Sequence, residues 1–269
     1  MSKFGLRKLG FGILLFGMAV CCYTASPVKA AEPDVPIDNK TFQDATFLKY
    51  VGRFDKSGDG KLSESERSAV TEIVVNADPF NSQTKITSLA GIEYFPNLKV
   101  LECEKNSLAS LDVTKNKKLQ ELNCDRNQLQ SLDVSQNTEL TTLKCRYNQL
   151  PGLDVTKNTH LQKLWIYENQ ISSIDLSKNT ELVELACGNN PLTSLDVSQN
   201  TKLKGLHVYN TQLTALDLSN MTNLTTLACY NNNLTSLNIS GDTALKSLRC
   251  YKNNLQSLNT SDSPALTEL

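Results

Sequence analysis

The chain is poor in the residues that most enzymes rely on. Its 269 residues include two histidines, His160 and His207, and no motif pairs either with a nucleophile, so acid–base and nucleophilic catalysis both lack a starting point. Charge of one sign is also missing: the formal net charge is -1, and there is no basic tail or low-complexity run. Long apolar stretches are confined to one, from Leu9 to Val20, which is too short to span a bilayer permanently. Neither a sorting motif of the LPxTG kind nor a terminal membrane helix follows it.

That one apolar run sits behind Lys3, Arg7 and Lys8 and ahead of Val28-Lys29-Ala30, whose small residues suit a signal peptidase. Residues 1–30 therefore read as a secretory signal peptide, and residues 31–43 as a linker. A lipid anchor on Cys21 or Cys22 is the alternative, disfavoured because Val20 is bulky for a lipobox. Removing residues 1–30 deletes four basic groups and no acidic ones, which takes the formal charge from -1 to -5. Phosphate neutralisation then has no support, so no nucleic-acid partner is expected. The mature chain is expected to be secreted or held at the cell surface, with no transmembrane helix.

What the sequence does have is leucine at fixed places. Leu98-x-x-Leu101-x-Cys103-x-x-Asn106-x-Leu108 recurs with substitutions every 21 positions, beginning again at Leu119, Leu140, Leu161, Leu182, Leu203, Leu224 and Leu245. A fixed period of this size signals a stacked solenoid, because each unit is too short to bury its own apolar face. Repeat positions 1, 4, 6, 11, 14 and 16 are almost always aliphatic or cysteine and point inward. The alternation at positions 4 and 6 has the period of a short strand. Strands recurring once per coil run parallel, about 4.8 Å apart, so eight coils stack to roughly 40 Å. Positions 3, 5 and 7 then face solvent on the strand side.

Position 9 is Asn106, Asn127, Asn148, Asn169, Asn190, Asn232 and Asn253, with Thr211 the exception. An amide at that place can satisfy backbone groups that a turning chain leaves unpaired, so its role is structural. Asp112, Asp133, Asp154, Asp175, Asp196 and Asp217 belong to the following turn, which has no room for a helix. All six cysteines of the repeats, Cys103, Cys124, Cys145, Cys187, Cys229 and Cys250, fall at position 6. Three disulfides would be the ordinary reading for a secreted chain. Parallel stacking, however, holds neighbouring Cβ atoms somewhat too far apart and side by side. Cys187 also lacks a cysteine neighbour. A buried, reduced ladder of small apolar groups is expected, and zinc is disfavoured because its ligands must converge on a point.

These units, for example Leu119-Gln120-Glu121-Leu122-Asn123-Cys124-Asp125-Arg126-Asn127-Gln128-Leu129, resemble bacterial leucine-rich repeats, and the 21-residue cysteine-bearing form is similar to that of the internalin family. The resemblance covers about two thirds of the chain. It implies an α/β solenoid: a leucine-rich-repeat horseshoe with a parallel concave sheet and a short helical N-terminal cap. It further implies a surface protein whose concave face binds a ligand, and a cap built partly from EF-hand-like helices.

Before the repeats, residues 44–97 read as that cap with an irregular first coil. Asp55-Lys56-Ser57-Gly58-Asp59-Gly60-Lys61-Leu62-Ser63-Glu64-Ser65-Glu66 matches a twelve-residue EF-hand loop. Its calcium ligands by place are Asp55, Ser57, Asp59, the Lys61 carbonyl, Ser63 through water, and Glu66. Phe47, Val51 and Phe54 share a helical face before the loop, and Ala69, Val70 and Ile73 after it. A capping box from Ser63 to Glu66 is the competing reading, compatible with the first. A structural Ca2+ of modest affinity is expected. Val70, Ile73 and Val75 also repeat the spacing of Leu98, Leu101 and Cys103, so the second helix should run into a first coil completed by Ile86, Leu89, Ile92 and Phe95.

The solvent-facing places vary while the frame stays constant, and they carry the candidate site. Position 7 runs Glu104, Asp125, Arg146, Tyr167, Gly188, Tyr209, Tyr230, Tyr251; position 5 contributes Lys144, Trp165, His207 and Arg249. The expected ligand-binding residues are Arg146, Trp165, Tyr167, His207, Tyr209, Tyr230, Arg249 and Tyr251, because aromatic residues and Arg are enriched where proteins bind. Mutual stabilisation of neighbouring aromatics on a sheet is the structural alternative. The function expected is recognition of a protein or glycan by the concave face, with no enzymatic activity. A structural spacer of the cell envelope, or a recognition fragment of a larger surface protein or enzyme, is the alternative. The chain stops at Leu266-Thr267-Glu268-Leu269, four residues into a ninth unit, which suggests truncation or association through that end.

Overall fold

The computed structural model describes residues 32–78 and 85–269. The expected signal peptide and the candidate lipid site at Cys21 or Cys22 lie outside the described residues. Pro33–Leu269 pack as one unit. It opens with a strand β1 (Val35–Pro36), a helix α1 (Ala45–Val51) and a 3-10 turn over Gly52–Phe54. Strand β2 (Lys61–Leu62) and helix α2 (Glu64–Ala69) follow.

The stretch expected as a linker is not one over its described part, because β1 pairs antiparallel with β2, Val35 opposite Leu62, and the Phe42 side chain is fully buried. Helix α1 starts where Asp44 accepts hydrogen bonds from the Thr46 and Phe47 N–H groups, satisfying donors that a helix start leaves unpaired. Its second oxygen accepts from the Thr87 N–H and hydroxyl, which ties the helix to the coil behind it. Two edge-to-face groups, Phe42 with Phe47 and Phe54 with Tyr50 and Phe95, fill this end of the core.

Helix α2 is shorter than the apolar spacing suggests. It stops at Ala69, and Val70 is extended with φ -82° and ψ 115°. Ile73 lies in strand β3 (Glu72–Val74), not on a helix face. The reason is local: Val70, Thr71, Ile73, Val74 and Val75 are all β-branched and favour extended backbone. The other half of the expectation holds, since β3 is the first rung of the solenoid, with Ile73 opposite Leu101.

From there the strands β4 (Val100–Glu102), β5 (Glu121–Asn123), β6 (Thr142–Lys144), β7 (Lys163–Trp165), β8 (Glu184–Ala186), β9 (Gly205–His207), β11 (Thr226–Ala228) and β13 (Ser247–Arg249) join β3 in one nine-stranded parallel sheet. Leu101, Leu122, Leu143, Leu164, Leu185, Leu206, Leu227 and Leu248 stand opposite one another in register and are fully buried. β10 (Ala215–Asp217) and β12 (Ser236–Asn238) form a separate parallel pair.

Two asparagine ladders run through the stack. At position 9, Asn127 Nδ2 donates to the carbonyls of Cys103 and Cys124 at 3.0 Å each, and its Oδ1 accepts from the Leu108 N–H at 3.0 Å. The pattern repeats at Asn148 and Asn190. Each amide therefore stitches its own coil to the one before. A second ladder at position 19 was hidden in a segment that reads as turn: Asn137 Nδ2 donates to the carbonyls of Val113 and Asn116 at 2.8 and 2.9 Å. Asn158, Asn179 and Asn200 do the same. The position-15 aspartates close small turns, each accepting from the N–H two residues on, as Asp112 does from Thr114 at 2.9 Å. They are scaffold.

The six cysteines of the repeats are free thiols, five of them buried. Burial raises every one of their pKa values, those of Cys187 and Cys229 to about 12, so they remain protonated and unreactive at neutral pH.

Candidate functional site

The concave face is built from side chains of positions 3, 5 and 7, and its two halves behave differently. In the first half, charge is spent internally. Asp125, expected at the surface, has 1% of its side-chain area exposed, because the Arg146 side chain of the next coil lies over it. The carboxylate accepts from the Arg146 backbone N–H at 2.6 Å and from Nε at 2.5 Å, and pairs with the second guanidinium nitrogen. Burial pushes the Asp125 pKa up, while the hydrogen bonds and charge of Arg146 hold it back. The successive acidic and basic residues of position 7, Asp125 and Arg146, thus form a closed ion pair.

Arg146 also donates from Nη1 to the Tyr167 hydroxyl at 3.1 Å. Its guanidinium carbon is 4.8 Å from the centre of the Trp165 ring and 5.2 Å from that of Tyr167. Lys144 Nζ approaches Trp165 at 5.0 Å. Both cations come from the coil before, so one face of the indole is covered by positive charge.

In the second half the aromatics meet one another. Tyr209, Tyr230 and Tyr251 stack with ring centres 4.8 and 4.7 Å apart and planes within 3° and 7° of parallel. That spacing is the distance between strands, so in-register repetition produces the stack directly. Tyr251 is 55% exposed at the outer end, and Arg249 stands exposed beside it. Burial raises the hydroxyl pKa values of Tyr209 and Tyr230, so both remain protonated donors at neutral pH. Alongside runs a row of amides: Asn231 donates to Asn210, Asn210 to Asn189 and Asn189 to the Glu168 carboxylate, at 2.6, 2.6 and 2.9 Å.

Between the halves lies an open cavity of about 330 Å³ lined by Arg146, Trp165, Tyr167, Glu184, Ala186, His207 and Tyr209. Five of these seven were expected from sequence; Glu184 and Ala186 were not. Gly188 shapes the same place without lining it. A Cβ there would fall 2.8 Å from the Tyr209 carbonyl oxygen and 3.1 Å from its ring, so the absence of a side chain lets that ring lie down over the coil. The signal for it was visible as the one glycine in a column of large position-7 residues. His207 is held neutral chiefly by burial, which lowers its pKa against the pull of Glu184. His160 is exposed and lies at the end of its repeat unit, outside positions 3, 5 and 7.

The calcium-loop residues come together, but their oxygens are engaged by the loop itself. Asp55 accepts from the Gly58 and Gly60 N–H groups and from the Ser57 hydroxyl. Asp59 accepts from the Lys61 N–H. Glu66 accepts from Lys56 and Ser57 N–H on one oxygen and from the Ser63 N–H and hydroxyl on the other, completing the expected capping box. The Ser63 hydroxyl leads these bonds in lowering the Glu66 pKa to about 2. Among the described residues, no group of three or more His, Cys, Asp or Glu side chains is placed to hold an ion.

No protein-family model matches the chain, and no curated protein matches it. Among solved structures it is similar to the functional domain of InlJ from Listeria monocytogenes, which includes a cysteine ladder, at 32% identity and a TM-score of 0.70 over 88% of this chain. The chain is an internalin-like leucine-rich-repeat protein. It spans 56% of that InlJ structure. Internalin C2 of Listeria monocytogenes matches at 21% identity and a TM-score of 0.65, over 89% of this chain and 98% of that one. A leucine-rich-repeat protein of Leptospira interrogans matches at 20% and 0.62, over 77% of this chain and 62% of that one. At those identities the likeness is one of fold. The internalin-like chain thus has the leucine-rich-repeat build, and no helix among its described residues is long and apolar enough to cross a membrane.

Proposed function

We propose that this internalin-like chain is a secreted or cell-surface recognition protein that captures a protein or glycan ligand on its concave face, serves adhesion or cell contact, and has no catalytic role. One observation carries the reading: from Arg146 to Tyr251 the strand face is aromatic and partly open, while the position-9 amides behind it are spent on backbone groups. Contiguous aromatic surface of this kind marks interaction sites more often than it stabilises a monomer.

The test replaces Trp165, Tyr209 and Tyr230 together by alanine. Capture of cells or of a partner from host or neighbour-cell extracts should be lost, while far-ultraviolet circular dichroism keeps its strand signal. Unchanged capture, or retention of cell-wall material indifferent to the three substitutions, would favour a spacer of the envelope instead.

The same reading gives the Asp55–Glu66 loop a structural calcium ion, held by Asp55, Ser57, Asp59, the Lys61 carbonyl, Ser63 through water, and Glu66. The donor set is all oxygen and Asp55 stays ionised, its pKa lowered foremost by the Gly60 N–H. Glu66 would have to exchange hydrogen bonds for the ion, so affinity should be modest, with Kd of about 10⁻⁴ to 10⁻³ M as in other extracellular modules. Millimolar calcium should raise the melting temperature, Glu66→Gln should abolish the rise, and an identical melt in chelator would remove the ion from the proposal.

A further inference from the structure

The cavity over Ala186 has the dimensions of one missing rung. Position 5 of successive coils is Lys144, Trp165, Ala186, His207, so Trp165 and His207 stand two strand spacings apart, roughly 9.6 Å, with a methyl group between them. The neighbouring Tyr209–Tyr230–Tyr251 stack shows what this scaffold does with consecutive rings: it spaces them at 4.8 and 4.7 Å. One planar ring laid over Ala186 would stand about one such spacing from each wall. Two would not fit.

The walls are asymmetric. Lys144 and Arg146 cover the face of Trp165 toward the preceding coil. Toward the following coil stands Ala186, whose methyl leaves the indole unaccompanied. One end of the slot is closed by the Tyr209 ring, which lies over Gly188. The other end carries Glu184, whose side chain is 40% exposed and whose carboxylate has Lys163 Nζ at 3.9 Å, beyond hydrogen-bond distance.

We propose that this space is a single-ring slot that receives a tyrosine or tryptophan side chain protruding from a protein partner, its ring filling the missing rung and its O–H or N–H donating to Glu184. The proposal rests on the concave-face reading and narrows it from protein or glycan to protein. The lining favours an aromatic side chain over a sugar. Recognising a pyranose takes donors and acceptors spread around the ring, whereas this space is walled by the rings of Trp165, His207 and Tyr209, and its one cation, Arg146, is committed to Asp125 and Tyr167. The Glu184 carboxylate at one end is placed to accept the single donor on the edge of a tyrosine or tryptophan ring.

The probe is N-acetyl-tyrosinamide, read by the emission of Trp165, the one tryptophan of the chain, and by saturation-transfer NMR. A Kd of roughly 1 mM is expected for so small a ligand. Ala186→Tyr fills the rung from within, as Trp165 and His207 do in their own coils, and should weaken the probe at least about tenfold. Glu184→Gln, a change at a half-exposed site that leaves the core untouched, should weaken it about threefold and supplies the answer if the first variant folds poorly. Binding of methyl glycosides in place of the probe would overturn the proposal in favour of a glycan, and a probe that leaves Trp165 unperturbed would overturn it outright. Either failure, with capture still lost in the Trp165, Tyr209 and Tyr230 variant, would sink the slot and leave the concave-face function standing.

Discussion

The convex turns and the concave strand face repeat with the same period, yet one row is uniform and the other is not. On the turn side, Asn116, Asn137, Asn158, Asn179 and Asn200 occupy one buried place in five successive coils, each with no exposed area. On the strand side, the same five coils carry Glu104, Asp125, Arg146, Tyr167 and Gly188 at position 7. Identical residues make identical hydrogen bonds to the coil before, which is what holding a stack together requires. The varied row joins coils too, as Arg146 does to Asp125, but with no residue common to all of them, so its composition is open to other demands. The two rows also fail differently: a ladder residue should lower stability and a concave residue should lower recognition.

The sharpest way to break this contrast is to take out one ladder rung. Asn148 donates to the Cys124 and Cys145 carbonyls and accepts from the Leu129 N–H. Asn148→Ala leaves these buried groups unpaired and should cost about 3 kcal/mol, from penalties of roughly 1–3 kcal/mol per buried unsatisfied group. Chemical denaturation should show the loss, with local opening between the coils that begin at Leu119 and Leu140 as the first sign in hydrogen exchange. A change below about 0.5 kcal/mol would mean that water substitutes for the amide, against the structural role assigned to position 9.

Gly188 lies on the boundary between the rows, since it belongs to the varied face but its lack of a side chain is set by packing. Gly188→Ala places a methyl against the Tyr209 carbonyl and ring. The ring is free to lift and the backbone is not, so a cost of about 1–2 kcal/mol is expected. Stability and the shape of the cavity should change together, which crystallography of the variant and its Trp165 emission would both report. No shift in Tyr209 would show that the close approach is not what shapes the site.

Much of this was legible in the sequence because a repeat is its own alignment. The leucine and cysteine slots and the asparagine of position 9 were assignable by comparing eight coils, whereas the position-19 asparagines passed for turn residues although they make a second ladder. Three further things were not legible, for related reasons. Asp125 is buried by Arg146 from the next coil, a contact between varied positions that no repeating pattern encodes. Val70 and Ile73 satisfy helical and strand spacing equally, and the β-branched run decides for strand. Ala186 works by what it leaves empty, and a small residue between large ones attracts no notice until the walls are seen.

The smallest effect concerns the place where the convex ladder itself breaks. Its sixth and seventh rungs are Met221 and Asp242 in place of asparagine. Asp242 is buried, one oxygen accepts from the Met221 N–H at 2.8 Å, and the other has no partner. Burial raises its pKa to about 6. A carboxyl whose folded pKa lies above its unfolded value of about 3.9 contributes stability that is complete below that unfolded value. The contribution is lost as pH rises through 6. At neutral pH the folded chain therefore holds a charge it would prefer to neutralise. An amide nitrogen at this place would, in the register of the ladder, donate to the carbonyls of residues 218 and 221 as Asn200 does to its two. Asp242→Asn should accordingly stabilise the chain at pH 7.5 by on the order of 1 kcal/mol, discounted for partial solvent screening. The gain should shrink toward pH 4, where the wild-type carboxyl is itself protonated. A gain of equal size at both pH values would trace it to the ladder hydrogen bonds alone, and a loss at both would mean that Asp242 has a partner that the uniform row lacks.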